Sequence, residues 1–89
     1  MIQMEGNKTN ESRLCQLVTF LATSLVDEPE EVRVREMQSG DSVIFEVSVA
    51  ADDMGKILGR RGRVARAIRS VTKAAAIREG KRVMVEIVE

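Results

Sequence analysis

Met54-Gly55-Lys56-Ile57-Leu58-Gly59-Arg60-Arg61-Gly62-Arg63 is the stretch on which the fold turns. Two glycines spaced three apart enclose two guanidinium groups. A glycine has no Cβ, so its peptide plane can lie flush against a sugar-phosphate and reach φ values closed to other residues. Arginines between the glycines bring charge and a planar fork of donors to phosphate oxygens. The tetrapeptide alone is weak: with six glycines in 89 residues, a G-x-x-G arises by chance in roughly a third of such chains. Its surroundings carry the argument.

Downstream, Val64, Ala65, Ile68, Val71, Thr72 and Ala75 recur on one side of a helix, with Arg66, Arg69 and Lys73 opposite. Gly80 ends that helix at a C′ position, and Arg82 to Val88 reads as a strand with Val83, Val85 and Ile87 facing one way. Upstream, Asp52 or Asp53 is placed to cap a short helix ending near Leu58. Two adjacent acids with no polar catalytic partner specify no substrate geometry, so capping is the reading adopted over a catalytic pair. The glycines thus join two helices at a sharp corner, with the second helix's free N–H groups directed at the loop, where they attract phosphate. Arg60, Arg61 and Arg63 add formal charge there, and Lys56 reaches the same groove from the preceding helix. The plainer alternative is a helix-turn-helix corner whose glycines only permit the turn; the flanking charge argues against it.

Residues 1–10 are polar and without periodicity and read as a flexible tail; the domain is residues 11–89. Leu14, Leu17, Val18, Leu21 and Leu25 form the stripe of a first helix, capped by Asn10 or Ser12 and stopped by Asp27-Glu28-Pro29. Phe20 projects away from that stripe, either packing under the tail or belonging to a subunit interface. Val32, Val34 and Glu36 alternate with Arg33, Arg35 and Met37; Gln38-Ser39-Gly40-Asp41 supplies a turn, and Val43 to Val49 is a β-branched run, which together make a hairpin. The third strand returns through two helices and so lies parallel beside the second by a right-handed crossover. The expected fold is α+β, order α-β-β-α-α-β, a three-stranded mixed sheet covered on one face by three helices. The other face, with Arg33, Arg35, Glu46 and Glu86, is expected to stay wet.

Composition narrows the chemistry. Eighty-nine residues, 44% hydrophobic and 31% charged, suit one compact globular domain. No apolar run approaches the ~18 residues needed to cross a bilayer, and the N-terminus has no basic region followed by an apolar stretch, which favours the cytoplasm. Cys15 is the single cysteine and there is no histidine, which excludes intrachain disulfides, zinc sites and His-based triads. No metal, cofactor or catalytic activity is therefore expected. Cys15 itself reads as a small buried hydrophobe. The zero net charge hides a split: residues 1–51 carry four Lys/Arg against nine Asp/Glu, or −5, and residues 52–89 carry ten against five, or +5. A basic face on an acidic body is the footprint of a nucleic-acid-binding module.

An apolar pair before a GXXG loop, as in Ile57-Leu58-Gly59-Arg60-Arg61-Gly62, resembles the KH signature, and in this order of elements the type II KH fold. Ser24-Leu25-Val26-Asp27, Glu31-Val32-Arg33-Val34, Ala65-Arg66-Ala67-Ile68-Arg69 and Gly80-Lys81-Arg82-Val83 extend that resemblance, over roughly residues 13–89, to the small bacterial single-KH proteins of the KhpA family. The resemblance implies binding of single-stranded RNA in a bacterial cytoplasm, as an RNA chaperone or post-transcriptional regulator, with a homodimer or a larger Jag-type KH protein as further partners. It also implies roles: Gly59 and Gly62 shape the loop, Arg60 and Arg61 meet the backbone, and Ile57 lines or supports the base groove. Lys56, Arg63 and Arg66 are added on electrostatic grounds. Phe20 and Phe45 are the only aromatics and neither neighbours the loop, so bases would be held by aliphatic contacts and polar edges rather than stacking platforms. Affinity from one such domain is modest, and dimerisation raises it through effective concentration. The alternative is a KH-fold interaction scaffold working through Phe20 or the small face of Ala67, Ala74 and Ala75. Nucleotide hydrolysis is disfavoured, because Gly55 to Arg60 lacks the G-x-x-x-x-G-K-[ST] spacing.

Overall fold

The computed structural model describes residues 12–89. The tail expected at residues 1–10, and Asn10 as a cap, lie outside the described residues. Helix α1 spans Arg13–Leu25, and Ser12 is its N-cap: its hydroxyl oxygen accepts from the Cys15 N–H at 3.0 Å. Leu14, Cys15, Val18 and Ala22 are buried, whereas Leu17 and Leu21 are half-buried and Leu25 is exposed. The buried stripe is therefore rotated toward Cys15 and Ala22 relative to the leucine pattern, because the small side chains permit the closest approach to the sheet and to α2.

A short 3₁₀ turn, Pro29–Glu31, leads into β1 (Arg33–Ser39), which pairs antiparallel with β2 (Ser42–Ser48) in unbroken register from Arg33↔Ser48 to Ser39↔Ser42. Strand β3 (Arg82–Val88) pairs parallel with β2, from Ser42↔Arg82 to Ser48↔Val88, and the sheet order is β1-β2-β3. The hairpin and the parallel crossover both match expectation. Period-two burial is clearest in the central strand, where Val43, Phe45 and Val47 are buried and the residues between them are not. Phe45, with no exposed surface, sits beneath both helices with Val18, Ile57, Ile68 and Val85 in one core cluster.

Between β2 and β3 runs α2, Ala51–Arg78, whose helical hydrogen-bonding is traversed by four non-helical residues, Gly59 to Gly62. The break divides α2 into two arms, residues 51–58 and 63–78, which correspond to the two helices expected there. The order is α-β-β-α-β with a bent second helix, and the α+β architecture is that of a type II KH fold. Ala65, Ile68, Thr72 and Ala76 form the buried stripe of the second arm. Thr72 satisfies its buried hydroxyl by donating to the Ile68 carbonyl at 2.7 Å. Val71, expected inside, is 45% exposed: the stripe turns to present Ala76, whose small side chain lets the helix end close to the sheet. Gly80, at φ +69°, ends the arm, with its N–H on the Ile77 carbonyl and the Lys81 N–H on that of Ala76, the paired bonds of a Schellman cap.

Neither Asp52 nor Asp53 caps α2. The N-cap is Ala50, with no side-chain hydrogen bond. Asp53 is instead only 1% exposed, and its two carboxylate oxygens accept from the backbone N–H groups of Asp27 at 2.9 Å and Glu28 at 3.1 Å. Two such bonds compensate the burial of a charge. They tie the segment after α1 to the first turn of the arm that carries the glycine loop.

Candidate nucleic-acid interface

The corner between the arms has an unusual backbone. Gly59 is extended (φ −72°, ψ 174°), and Arg60, Arg61 and Gly62 follow at φ 51°, 64° and 67°. Left-handed backbone costs an L-residue with a side chain about 1–2 kcal/mol. Gly62 meets that requirement with no Cβ; Arg60 and Arg61 meet it under strain, and they are the only non-glycine residues with positive φ among the described residues. Gly59 needs no special φ, and a Cβ built there would have no heavy atom within 4 Å. At Gly59 neither the backbone nor the packing requires a glycine, whereas at Gly62 the missing side chain serves the chain's own geometry.

Beside the corner lies a groove of about 430 Å³ lined by Gly55, Lys56, Gly59, Arg60 and Val64. Arg60, Arg61, Arg63 and Arg66 are exposed, and none of the four has a hydrogen bond or ion pair among the described residues. The second arm begins directly after Gly62, so the positive end of its dipole adds to theirs. A groove with an apolar floor, a glycine rim and unpaired guanidinium groups can take an extended polyanion, whose phosphates meet the charges while its bases lie over Gly55 and Val64.

Four residues near the corner show more than their positions in the sequence do. Ile57 has no exposed surface and belongs to the core cluster around Phe45, not to the groove lining. Lys56 lines the groove but places its Nζ 2.7 Å from Oδ1 of Asp27. Arg69 does not continue the basic stripe: its Nε donates to the Val85 carbonyl at 3.1 Å, leaving Arg66 and Lys73 on that face. Val64, on the expected apolar side of the second arm, both packs against the core and lines the groove; the first turn after the loop is where a helix has no preceding turn to cover it. The Asp27–Lys56 pair joins residues far apart in sequence and has no local signature.

Comparison with known proteins bears on this geometry. Residues 15–87 match the family model described as KhpA/KhpB, KH domain. This chain belongs to that family. A KhpA of Clostridium acetobutylicum is 55% identical over 73 residues, covering 82% of this chain and 97% of the relative. The corresponding figures for a KhpA of Clostridium perfringens are 53%, 82% and 97%, and a KhpA of Chlamydia pneumoniae is 43% identical over 74 residues, covering 83% and 95%. All three carry the name RNA-binding protein KhpA. Among solved structures, Aquifex aeolicus Era bound to GDP·AlF4− superposes with a TM-score of 0.61 at 18% identity, covering 84% of this chain and 29% of that one. Era in complex with MgGDPNP and a segment of 16S ribosomal RNA gives 0.60 at 17%, with the same coverage. At that identity the likeness speaks for the fold alone. The matched family is described by its KH domain, and the relatives by RNA binding. No helix among the described residues is long and apolar enough to cross a membrane.

Proposed function

We propose that this KhpA-family chain is a non-catalytic module that binds single-stranded RNA in the groove beside Gly59–Gly62, in the bacterial cytoplasm, as an RNA chaperone or post-transcriptional regulator. One observation carries the reading: Arg60 and Arg61 are held in strained left-handed backbone, exposed and unpaired among the described residues, at a corner whose glycine rim permits close approach. Strain of this kind is held by the surrounding structure and clusters at ligand clamps and switch regions, which supports the reading. Gly59 and Gly62 admit the sugar-phosphate, Arg60 and Arg61 meet phosphates, Arg63 and Arg66 extend the charge, Lys56 stands on the groove wall, and Ile57 holds the floor from below. The relatives' shared name, RNA-binding protein KhpA, supports RNA as the ligand.

Binding of short labelled single-stranded RNAs to the parent and to Arg60→Asp with Arg61→Asp tests the reading, with circular dichroism confirming the fold. A large loss of affinity is expected, together with weakening as salt is added. Equal binding by the two proteins would remove the loop from the site. A second reading, an interaction scaffold formed by a homodimer or with a larger Jag-type KH protein, is favoured by Phe20, which stands 66% exposed on α1. Sedimentation of the parent and of Phe20→Ser, alone and with such a partner, separates the readings: a shared dimer lost in Phe20→Ser with RNA binding intact assigns Phe20 to assembly.

A further inference from the structure

The groove's one lysine is already engaged. Lys56 lies on the wall with its Nζ 2.7 Å from Asp27 Oδ1, and both side chains remain substantially open to solvent, at 44% and 72%. An exposed pair of this kind contributes little to stability, so its consequence lies in where it holds the charge. Asp27 cannot drift away, because its own backbone N–H and that of Glu28 donate to the buried Asp53 carboxylate on the same turn of α2. The acid is thus tethered through backbone bonds to the arm that bears its lysine, and that lysine faces the groove.

We infer that Asp27 is an affinity-setting residue that withholds Lys56 from a bound phosphate, so that the groove binds RNA through its arginines and recruits the lysine only when the Asp27–Lys56 pair opens. The inference rests on the groove being the RNA site. It divides the wall into two kinds of cation. Arg60, on the same wall, has no side-chain partner among the described residues and is free for phosphate, with Arg61, Arg63 and Arg66 exposed on the loop and the arm that follows, whereas Lys56 is competed for by a neighbouring acid. A polyanion reaching this end of the groove must displace a carboxylate or stop short of it. Asp52, exposed on the same first turn, and Glu28, next to Asp27 in sequence, add negative charge around that end. The opposite, arginine-bearing end carries no such opposition, and the strand is held most firmly there.

The test is a two-by-two series, Asp27→Asn, Lys56→Gln and both together, read by fluorescence anisotropy with a labelled mixed-sequence single-stranded RNA of about ten nucleotides. Asp27→Asn leaves the backbone N–H bond to Asp53 in place, and Asp27→Ser repeats the measurement should asparagine lower the melting temperature. Asp27→Asn should tighten binding about fivefold and steepen the logarithmic salt dependence by about 0.7, the increment for one added phosphate contact on a single strand. In the Lys56→Gln background the same change should have less than about a twofold effect, because the cation it releases is gone. Tightening that persists without Lys56 would mean that Asp27 acts by repulsion alone, and this overturns the inference; so does an Asp27→Asn protein indistinguishable from the parent. A parent that binds RNA and loses it on Arg60→Asp with Arg61→Asp, while Asp27→Asn changes nothing, sinks the inference and leaves the groove standing. A parent that does not bind the RNA sinks both.

Discussion

Two glycine corners in this chain solve the same problem in opposite ways. At Gly80 the single left-handed residue is the glycine, and the N–H groups of Gly80 and Lys81 return to the last carbonyls of α2. At Gly59–Gly62 three consecutive residues are left-handed and two of them are arginines, while Gly59 occupies backbone that any residue could adopt. The first corner places glycine where stability asks for it. The second places side chains where they cost stability and omits one where none is sterically required. A departure from local preference concentrated at one charged corner is the pattern expected of the RNA site proposed above.

The contrast can be broken by substitution. The largest effect expected is on RNA affinity: Arg60→Asp with Arg61→Asp should weaken binding by at least about a hundredfold, as two phosphate contacts become repulsive, with the melting temperature unchanged or higher. Gly59→Ala should lower affinity about tenfold by obstructing the approach of the strand, yet shift stability by less than about 0.5 kcal/mol, because the backbone and the space both accept a methyl group. Gly80→Ala should do the reverse, costing about 1–2 kcal/mol in denaturant unfolding with RNA binding preserved. Arg61→Gly should raise stability by about 0.5 kcal/mol, the relief of left-handed strain less the added freedom of the unfolded chain, while weakening RNA several-fold. If Arg61→Gly proved less stable, the strain assigned to that corner would be wrong.

The smallest effect concerns the acidic end. Partial desolvation of Glu28, then the charges of Asp52, Asp53, Glu30 and Glu31, raise its carboxyl above its ordinary value of 4.5. A carboxyl whose folded pKa is raised favours the fold while protonated and loses that contribution as pH rises through the folded value. Glu28→Gln should therefore stabilise the protein at neutral pH, and the gain should vanish below the unfolded pKa, a difference that unfolding curves at two pH values would show.

The β1–β2 hairpin and the helix ends at Ser12 and Gly80 were legible in the sequence because they are local. Val43 to Val49 alternates as a half-covered central strand must, Ser12 is a cap whose donor, the Cys15 N–H, lies three residues on, and Gly80 marks a helix end by its type. The basic corner was legible as charge density around Gly59 and Gly62. What escaped depends on distance or rotation. Asp53 read as a cap because acids favour first turns, but a longer-range demand, the two N–H groups at Asp27 and Glu28, took it. Val71 was displaced from the core by a rotation that brings Ala76 inward. The left-handed state of Arg60 and Arg61 has no residue-type signature, since arginine disfavours it.

Arg69 has a consequence beyond its loss to the basic face. The Val88 carbonyl accepts from the Val49 N–H on the β2 side, and alternation along a strand then turns the Val85 carbonyl to the outer edge of the sheet. The guanidinium that accepts this duty places a long charged side chain against the open flank of β3. An intruding chain seeking to extend the sheet would have to evict it, so the residue guards the protein against edge-to-edge polymerisation.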